Sequence, residues 1–137
     1  MKSEKKKVFI QRKPFVVPTS DGKYIGEHFG NASENFDNLS LAHMKAPANW
    51  TEPFQCPEFS EYTLVISGKK QIELPEGEIV VLGPGESIRI EAGIRVRYSN
   101  PFDEVCEYIS VCNPGFDFAK ANRDEYSVGL GISSLAG

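Results

Sequence analysis

Glycine and proline punctuate this chain so closely that a long helix has nowhere to form. They stand at Pro14, Pro18, Gly22, Gly26, Gly30, Pro47, Pro53, Pro57, Gly68, Pro75, Gly77, Gly83, Gly85, Gly93, Pro101, Pro114 and Gly115. The segments between them run mostly to about 5–9 residues, which is strand length and short of an ordinary helix. Their composition agrees. Residues 62–66 are β-branched and apolar and end in a turn at Ser67 and Gly68. Residues 70–74, 87–91 and 94–98 alternate polar and apolar, residues 39–44 and 78–82 are short apolar runs, and 105–112 is longer. Only residues 117–126 carry a helical pattern, with Asp117 as the N-cap. Many short strands at regular spacing predict an all-β barrel or jelly roll with one or two short helices near the C-terminus. Closure would remove the exposed strand edges.

A length of 137 residues fits a single domain over 1–137, able to bury a core without disulfides. Residues 1–7 and 129–137 read as loosely ordered ends. The net charge of −4 points away from nucleic acid, and no run approaches the ~20 apolar residues of a bilayer span. The basic start MKSEKKK is followed by VFIQRKPF and not by an apolar stretch, so no secretory signal is read and a cytoplasmic location is expected. Cys56, Cys106 and Cys112 are an odd number without CxxC spacing, which predicts neither a disulfide framework nor a structural zinc site. Residues 79–82 and 105–112 are apolar on both faces, and a barrel buries only one. That predicts a homodimer.

Two spaced patterns identify a resemblance. Glu61 is followed by YTLVIS and Gly68. Further on, Gly85, ESIRI, Glu91, Ala92, Gly93, Ile94, Arg95, Val96, RYS and Asn100 follow in order. These resemble the tail of the first cupin motif, G-x5-H-x-H-x3-4-E-x6-G, and the second, G-x5-P-x-G-x2-H-x3-N. The resemblance covers residues 38–116 and implies a small single cupin barrel. It also implies that the N-terminal strand around residues 8–17 pairs with a neighbouring copy. Cupin metal sites use two histidines and a glutamate from the first motif and a histidine from the second. Here a four-residue gap before Glu61 puts Phe54 and Cys56 at the first-motif histidine positions, and a three-residue gap puts Gln55 and Pro57 there. Val96 takes the second-motif position, and only Glu61 of the usual ligands is present. The stretch from Glu52 to Tyr62 is similar to a histidine-poor branch that includes the ethanolamine-utilisation cupin. No metal or other cofactor is therefore expected. A divalent transition metal held by His43, Glu61 and Gln55 or Glu52 is the alternative.

Strand alternation selects the inward side chains. If Glu61 points in, so do Thr63 and Val65. Ile94, Val96 and Tyr98 share the inward face of their strand, with Arg95 and Arg97 outside. Leu39 and Leu41 are the large apolar residues of their run, so they are expected to face the barrel, with His43 beside them. The ligand-binding candidates are His43, Glu52, Cys56, Glu61 and Tyr98, with Gln55 replacing Cys56 under the shorter gap. Each also has a structural reading: a strand histidine held by a hydrogen bond, a packed thiol, a core tyrosine. Glu61 resists that reading, because a carboxylate buried without a partner is costly. Lys69 and Lys70 read as turn and edge charges, and His28 as a surface-loop residue. Two functions follow. The first is a metal-free binder of a small polar organic molecule. The second is an isomerase, epimerase or lyase acting on a sugar or small acid, with Glu61 as catalytic acid/base partnered by His43 or Tyr98.

Overall fold

The computed structural model describes residues 7–124 and places ten strands and two short helices there. The strands are β1 (Phe15–Val16), β2 (Tyr24–Phe29), β3 (Ser40–Ala46), β4 (Trp50–Thr51), β5 (Ser60–Ser67), β6 (Lys70–Glu73), β7 (Ile79–Leu82), β8 (Ser87–Ile90), β9 (Arg97–Asn100) and β10 (Cys106–Asn113). The helices are α1 (Asn31–Glu34) and α2 (Phe118–Ala121). All pairings are antiparallel. One sheet runs β1-β2-β3-β10-β5-β8 and the other β4-β9-β6-β7. Two such sheets closing on one interior are the jelly-roll barrel that the strand spacing predicts. No helix among the described residues is long and apolar enough to cross a membrane.

The register stacks the inward side chains of the larger sheet in rows. Ser40, Cys112, Glu61 and Ile90 form one row, Ala42, Ser110, Thr63 and Ile88 the next, and Met44, Tyr108 and Val65 a third. Opposite them, the smaller sheet presents Lys70, Ile72 and Tyr98, with Val96 alongside. Two motif residues fasten the corners. The fully buried Asn100 donates from Nδ2 to the carbonyls of Ala46, Pro47 and Glu104 at 3.2, 3.1 and 2.8 Å, and its Oδ1 accepts from Phe102 N at 3.2 Å. Gly68 turns at φ +76°, and a Cβ there would lie 2.3 Å from the Val105 carbonyl oxygen. No other residue type fits that turn. Asn100→Ala strips four backbone groups of their partner and is expected to cost about 2–3 kcal/mol in chemical denaturation. A loss below about 0.5 kcal/mol would mean that water replaces the amide.

Several expectations need correction. In β3 the small residues face inward: Ser40, Ala42 and Ala46, with Met44, are buried, while Leu41 and His43 are half-buried on the outside. Residue size misleads here because the outer face of this sheet is apolar too, with Tyr62, Leu64 and Ile66 each more than 40% exposed. The strand expected over 94–98 begins at Arg97. Ile94 is exposed in a turn, and Val96 makes an isolated bridge to Gln55. His28 lies in β2, not in a loop. Gly26 hides that strand in the sequence, and the side chains of Tyr24 and Pro14 fill the space a Cβ would take, at 2.6 and 2.9 Å. Asp117 caps α2 through Ala119 N at 3.0 Å, but the helix ends at Ala121, with Asn122 left-handed. Residues 125 and 126 of the expected helix, and the ends expected to be loose except Lys7, lie outside the described residues.

Candidate functional site

Glu61 sits at the centre of the barrel and is 2% exposed. Ser110 Oγ donates to its Oε2 at 2.5 Å, and Tyr98 Oη donates to its Oε1 at 3.2 Å. Strand order explains both contacts. Ser110 is one row from Glu61 on the neighbouring strand, and Tyr98 reaches across from the opposite sheet. Charge-assisted bonds of this kind hold a carboxylate that burial alone would penalise. Burial, followed by the Glu61 charge, holds the Tyr98 hydroxyl well above its usual range, so it is a donor at neutral pH.

Around this carboxylate lie further buried charges, among them Lys70, which is an interior residue and not the edge charge expected. Lys70 is 2% exposed, with Nζ 3.5 Å from the Tyr108 ring centre and 4.4 Å from that of Tyr98. Burial lowers its pKa to about 8 against the opposing pull of Glu61 and Glu52. Lys23 is equally buried, 4.4 Å from the Trp50 ring centre. Burial, reinforced by Lys70 and Arg123, lowers its pKa to about 7. Burial raises the pKa of Glu52 above the usual carboxylate value, with Arg123, Lys23 and Lys70 opposing. Arg123 Nη2 is 3.3 Å from Glu52 Oε1 and Nε donates to Gln55 Oε1 at 2.9 Å, so the guanidinium ties two buried side chains together.

Arg123 arrives on a strap. Residues 117–124 run along the 54–58 segment through Cys56 N to Ala121 O (3.2 Å), Glu58 N to Lys120 O (2.9 Å) and Asp124 N to Phe54 O (2.8 Å). A two-pronged pair from Arg95 to Asp124, at 3.1 and 2.6 Å, fixes its end. The strap also borders a half-open cavity of about 840 Å³. Phe116, Asp117, Phe118 and Lys120 form one side, Glu27, Asn31, Asn35, Asp37, Asn38 and Asn113 contribute polar groups, and Ala42, Met44, Ser110 and Cys112 form the inner wall. Because Ser110 also binds Glu61, cavity and buried cluster share that wall.

The structure thus brings together Glu52, Gln55, Glu61 and Tyr98 of the expected residues. Gln55 and Pro57 are buried and Cys56 is only half-buried, so the three-residue gap holds. Cys56 joins the strap through its backbone, and its carbonyl accepts from Asn122 Nδ2 at 3.1 Å. Phe54 lies outside, with Arg95 and Arg97 at 4.7 and 5.0 Å from its ring centre. His43 is outside as well, its Nε2 2.6 Å from Glu107 Oε2 and its ring edge-on to Tyr24. A part-exposed pair of this kind contributes little, so His43→Gln is expected to change stability by less than about 1 kcal/mol and ligand binding not at all, read by denaturation and titration. Lys70 was legible: it alternates with Ile72 and Leu74, and that shared face is the inner one. Thr63 was legible from Glu61 by the same rule. No pattern announced Lys23 or Arg123, which reach the centre from a loop and a strap.

The residues at the four cupin ligand positions are Gln55, Pro57, Glu61 and Val96. They offer one amide and one carboxylate whose two oxygens are already bonded, with three cationic side chains close by. That donor set does not fit a first-row metal, which favours imidazole nitrogen. No group of three or more metal-ligating side chains occurs among the described residues.

A family model described as "Cupin domain" matches residues 43–112. A curated relative from Myxococcus xanthus (strain DK1622), called endoribonuclease YbeY, is 41% identical over 105 residues, 77% of this chain and 35% of that protein. The chain therefore spans about a third of that relative's length. The polyketide cyclase RemF from Streptomyces resistomycificus shares the fold at a TM-score of 0.63 and 18% identity, covering 92% of this chain and 87% of its own. The Clostridium difficile EutQ protein does so at a TM-score of 0.52 and 24% identity, covering 67% and 68%. At these identities the solved structures speak for the fold alone.

Proposed function

The chain belongs to the cupin domain family, and on that premise we propose that its barrel binds a small polar organic molecule through protein side chains, without a metal ion. The observation that carries this reading is a set of buried polar atoms without hydrogen-bond partners. Among the described residues they include Lys70 Nζ, Gln55 Nε2, Thr63 Oγ1, Ser99 Oγ and Glu52 Oε2, the oxygen of Glu52 that does not face Arg123. Such groups cost free energy unless something bonds them. The ligand-binding set is then Glu52, Gln55, Glu61 and Tyr98, joined by Lys70 and Thr63, with the ligand's body in the cavity beyond Ser110. The enzyme reading retains a narrower basis, the Tyr98–Glu61 pair.

Two measurements test the proposal. Mass spectrometry of material released from denatured protein is expected to find a small organic compound near one per chain. Elemental analysis of the same sample is expected to find far less than one transition metal per chain. A stoichiometric metal with no organic compound would overturn the reading. The homodimer remains part of the proposal, with the outer face of the larger sheet as its contact. Light scattering of the full chain at micromolar concentration is expected to give twice the chain mass, and a monomer mass would refute it.

A further inference from the structure

We infer that the ligand carries a primary ammonium group, seated on the carboxylate of Glu27 in the wall of the half-open cavity. This rests on the small-molecule reading above and adds to it the charge of the ligand's cavity end and the residue that holds it. Glu27 lines the cavity directly and is 6% exposed. The register sets it beside Ala42 on the inner face, and Ala42 beside Ser110. All three line the cavity. With strands ~5 Å apart, Glu27 and Ser110 stand about 10 Å apart across a residue whose side chain is one methyl group. Gly30 leaves the carboxylate its place, since a Cβ there would meet Glu27 Cδ at 2.8 Å.

The carboxylate accepts one hydrogen bond, from Ser33 N to Oε2 at 2.7 Å, which ties it to the first turn of α1. Among the described residues it makes no ion pair, and no donor bonds Oε1. A carboxylate accepts from about four directions, so most of its capacity is unused. Water would fill those directions but leave a buried charge with no cation facing it, and a glutamate this buried is seldom unpaired. The other charged side chains that line the cavity are Asp37, Asp117 and Lys120. Asp117 also caps α2, and the exposed Lys120 makes no ion pair among the described residues. Two rim carboxylates against one ammonium draw a cation inward. Asn31 adds a neutral acceptor, because its Nδ2 donates to Phe116 O at 3.3 Å and its Oδ1 is left to accept. A primary ammonium brings to these groups one full charge and three donors. A bare metal ion needs more ligands than the wall supplies, since no group of three or more metal-ligating side chains occurs among the described residues. Met44, Phe116 and Phe118 line the cavity as well and receive the apolar part of the molecule.

The test is a titration of the full chain at about pH 7, where primary amines are protonated. The probes are propylamine and benzylamine, with propanol and benzyl alcohol as neutral isosteres and propionate and benzoate as anions. The amines are expected to bind at one per chain, and the alcohols and acids about tenfold or more weaker. Glu27→Gln, which keeps an acceptor for Ser33 N, is expected to weaken the amines about ten- to hundredfold and to leave the alcohols unchanged. His43→Gln, outside the barrel, is the unchanged control. Should Glu27→Gln not fold, Ala42→Val decides the place, because its added methyl groups fill the wall beside Glu27 and are expected to weaken the amines about tenfold or more. Alcohols or acids binding as well as the amines would overturn the ammonium and leave the small-molecule reading standing. No binding by any of the three classes would overturn both. Glu27→Gln binding the amines like the parent, or Ala42→Val doing so where Glu27→Gln does not fold, would overturn the seat on Glu27.

Discussion

Between about pH 7 and 8.5 the protein is expected to gain about 2 kcal/mol of stability, where most proteins change little. The sign follows from Lys23 and Lys70, whose pKa values fall from 10.5 to about 7 and about 8 on folding. Across that window the unfolded chain keeps both protons while the native state releases them, so rising pH favours the native state. Well below pH 7, where both amines are protonated in the native state as well, the penalty of burying both charges is fully present. The groups facing these amines are Glu52, Glu61, Arg123, Cys106, Tyr98 and Tyr108. Glu52 acts in the opposite sense. Its raised pKa means that stability falls as pH climbs from about 4.5 to its folded value. Cys106 and Cys112, held above the usual thiol range by burial, turn the curve down again above about pH 9. Urea denaturation at a series of pH values reads the effect. Lys23→Met and Lys70→Met should each flatten the rise, and a flat or falling curve in the parent protein would contradict the buried charges.

Removing the hydroxyl beside Glu61 is expected to be as damaging. Ser110→Ala leaves Oε2 of a buried carboxylate without its short bond and should cost about 2–3 kcal/mol. Tyr98→Phe removes the longer bond to Oε1 and should cost about 1–2 kcal/mol. The two act on one carboxylate, so the double variant should depart from additivity. Ser110→Thr, which keeps the hydroxyl, should recover most of the loss. A Ser110→Ala protein as stable as the parent would mean that Glu61 draws its support from elsewhere. His43→Gln, outside the barrel, serves as the comparison.

The difference between legible and hidden residues has a physical pattern. Glu61 was marked by its motif position, and Thr63 and Tyr98 followed from two-residue alternation, because each lies within a strand whose inner face is set by its neighbours. Lys70 obeyed the same rule, but its charge argued against placing it inside. The interior accepts it because Tyr98, Tyr108, Glu61 and Glu52 surround it. His43 was misplaced because large apolar residues were expected to mark the core, and β3 puts its smallest residues there to make room for the cavity. Lys23 and Arg123 depend on the path of a loop and a strap, which no local periodicity encodes. The gap before Glu61 was ambiguous in sequence, and it was settled by the bridge between Gln55 and Val96.

The account stands or falls on whether protein side chains, and not a metal, receive the ligand. Mass spectrometry of the organic material released from one purified sample, before and after exhaustive treatment of the folded protein with a chelator and paired with elemental analysis, addresses this directly. The account predicts far less than one metal per chain and the same compound near one per chain on both sides of the treatment. One metal per chain, with the compound lost on chelation, would contradict it.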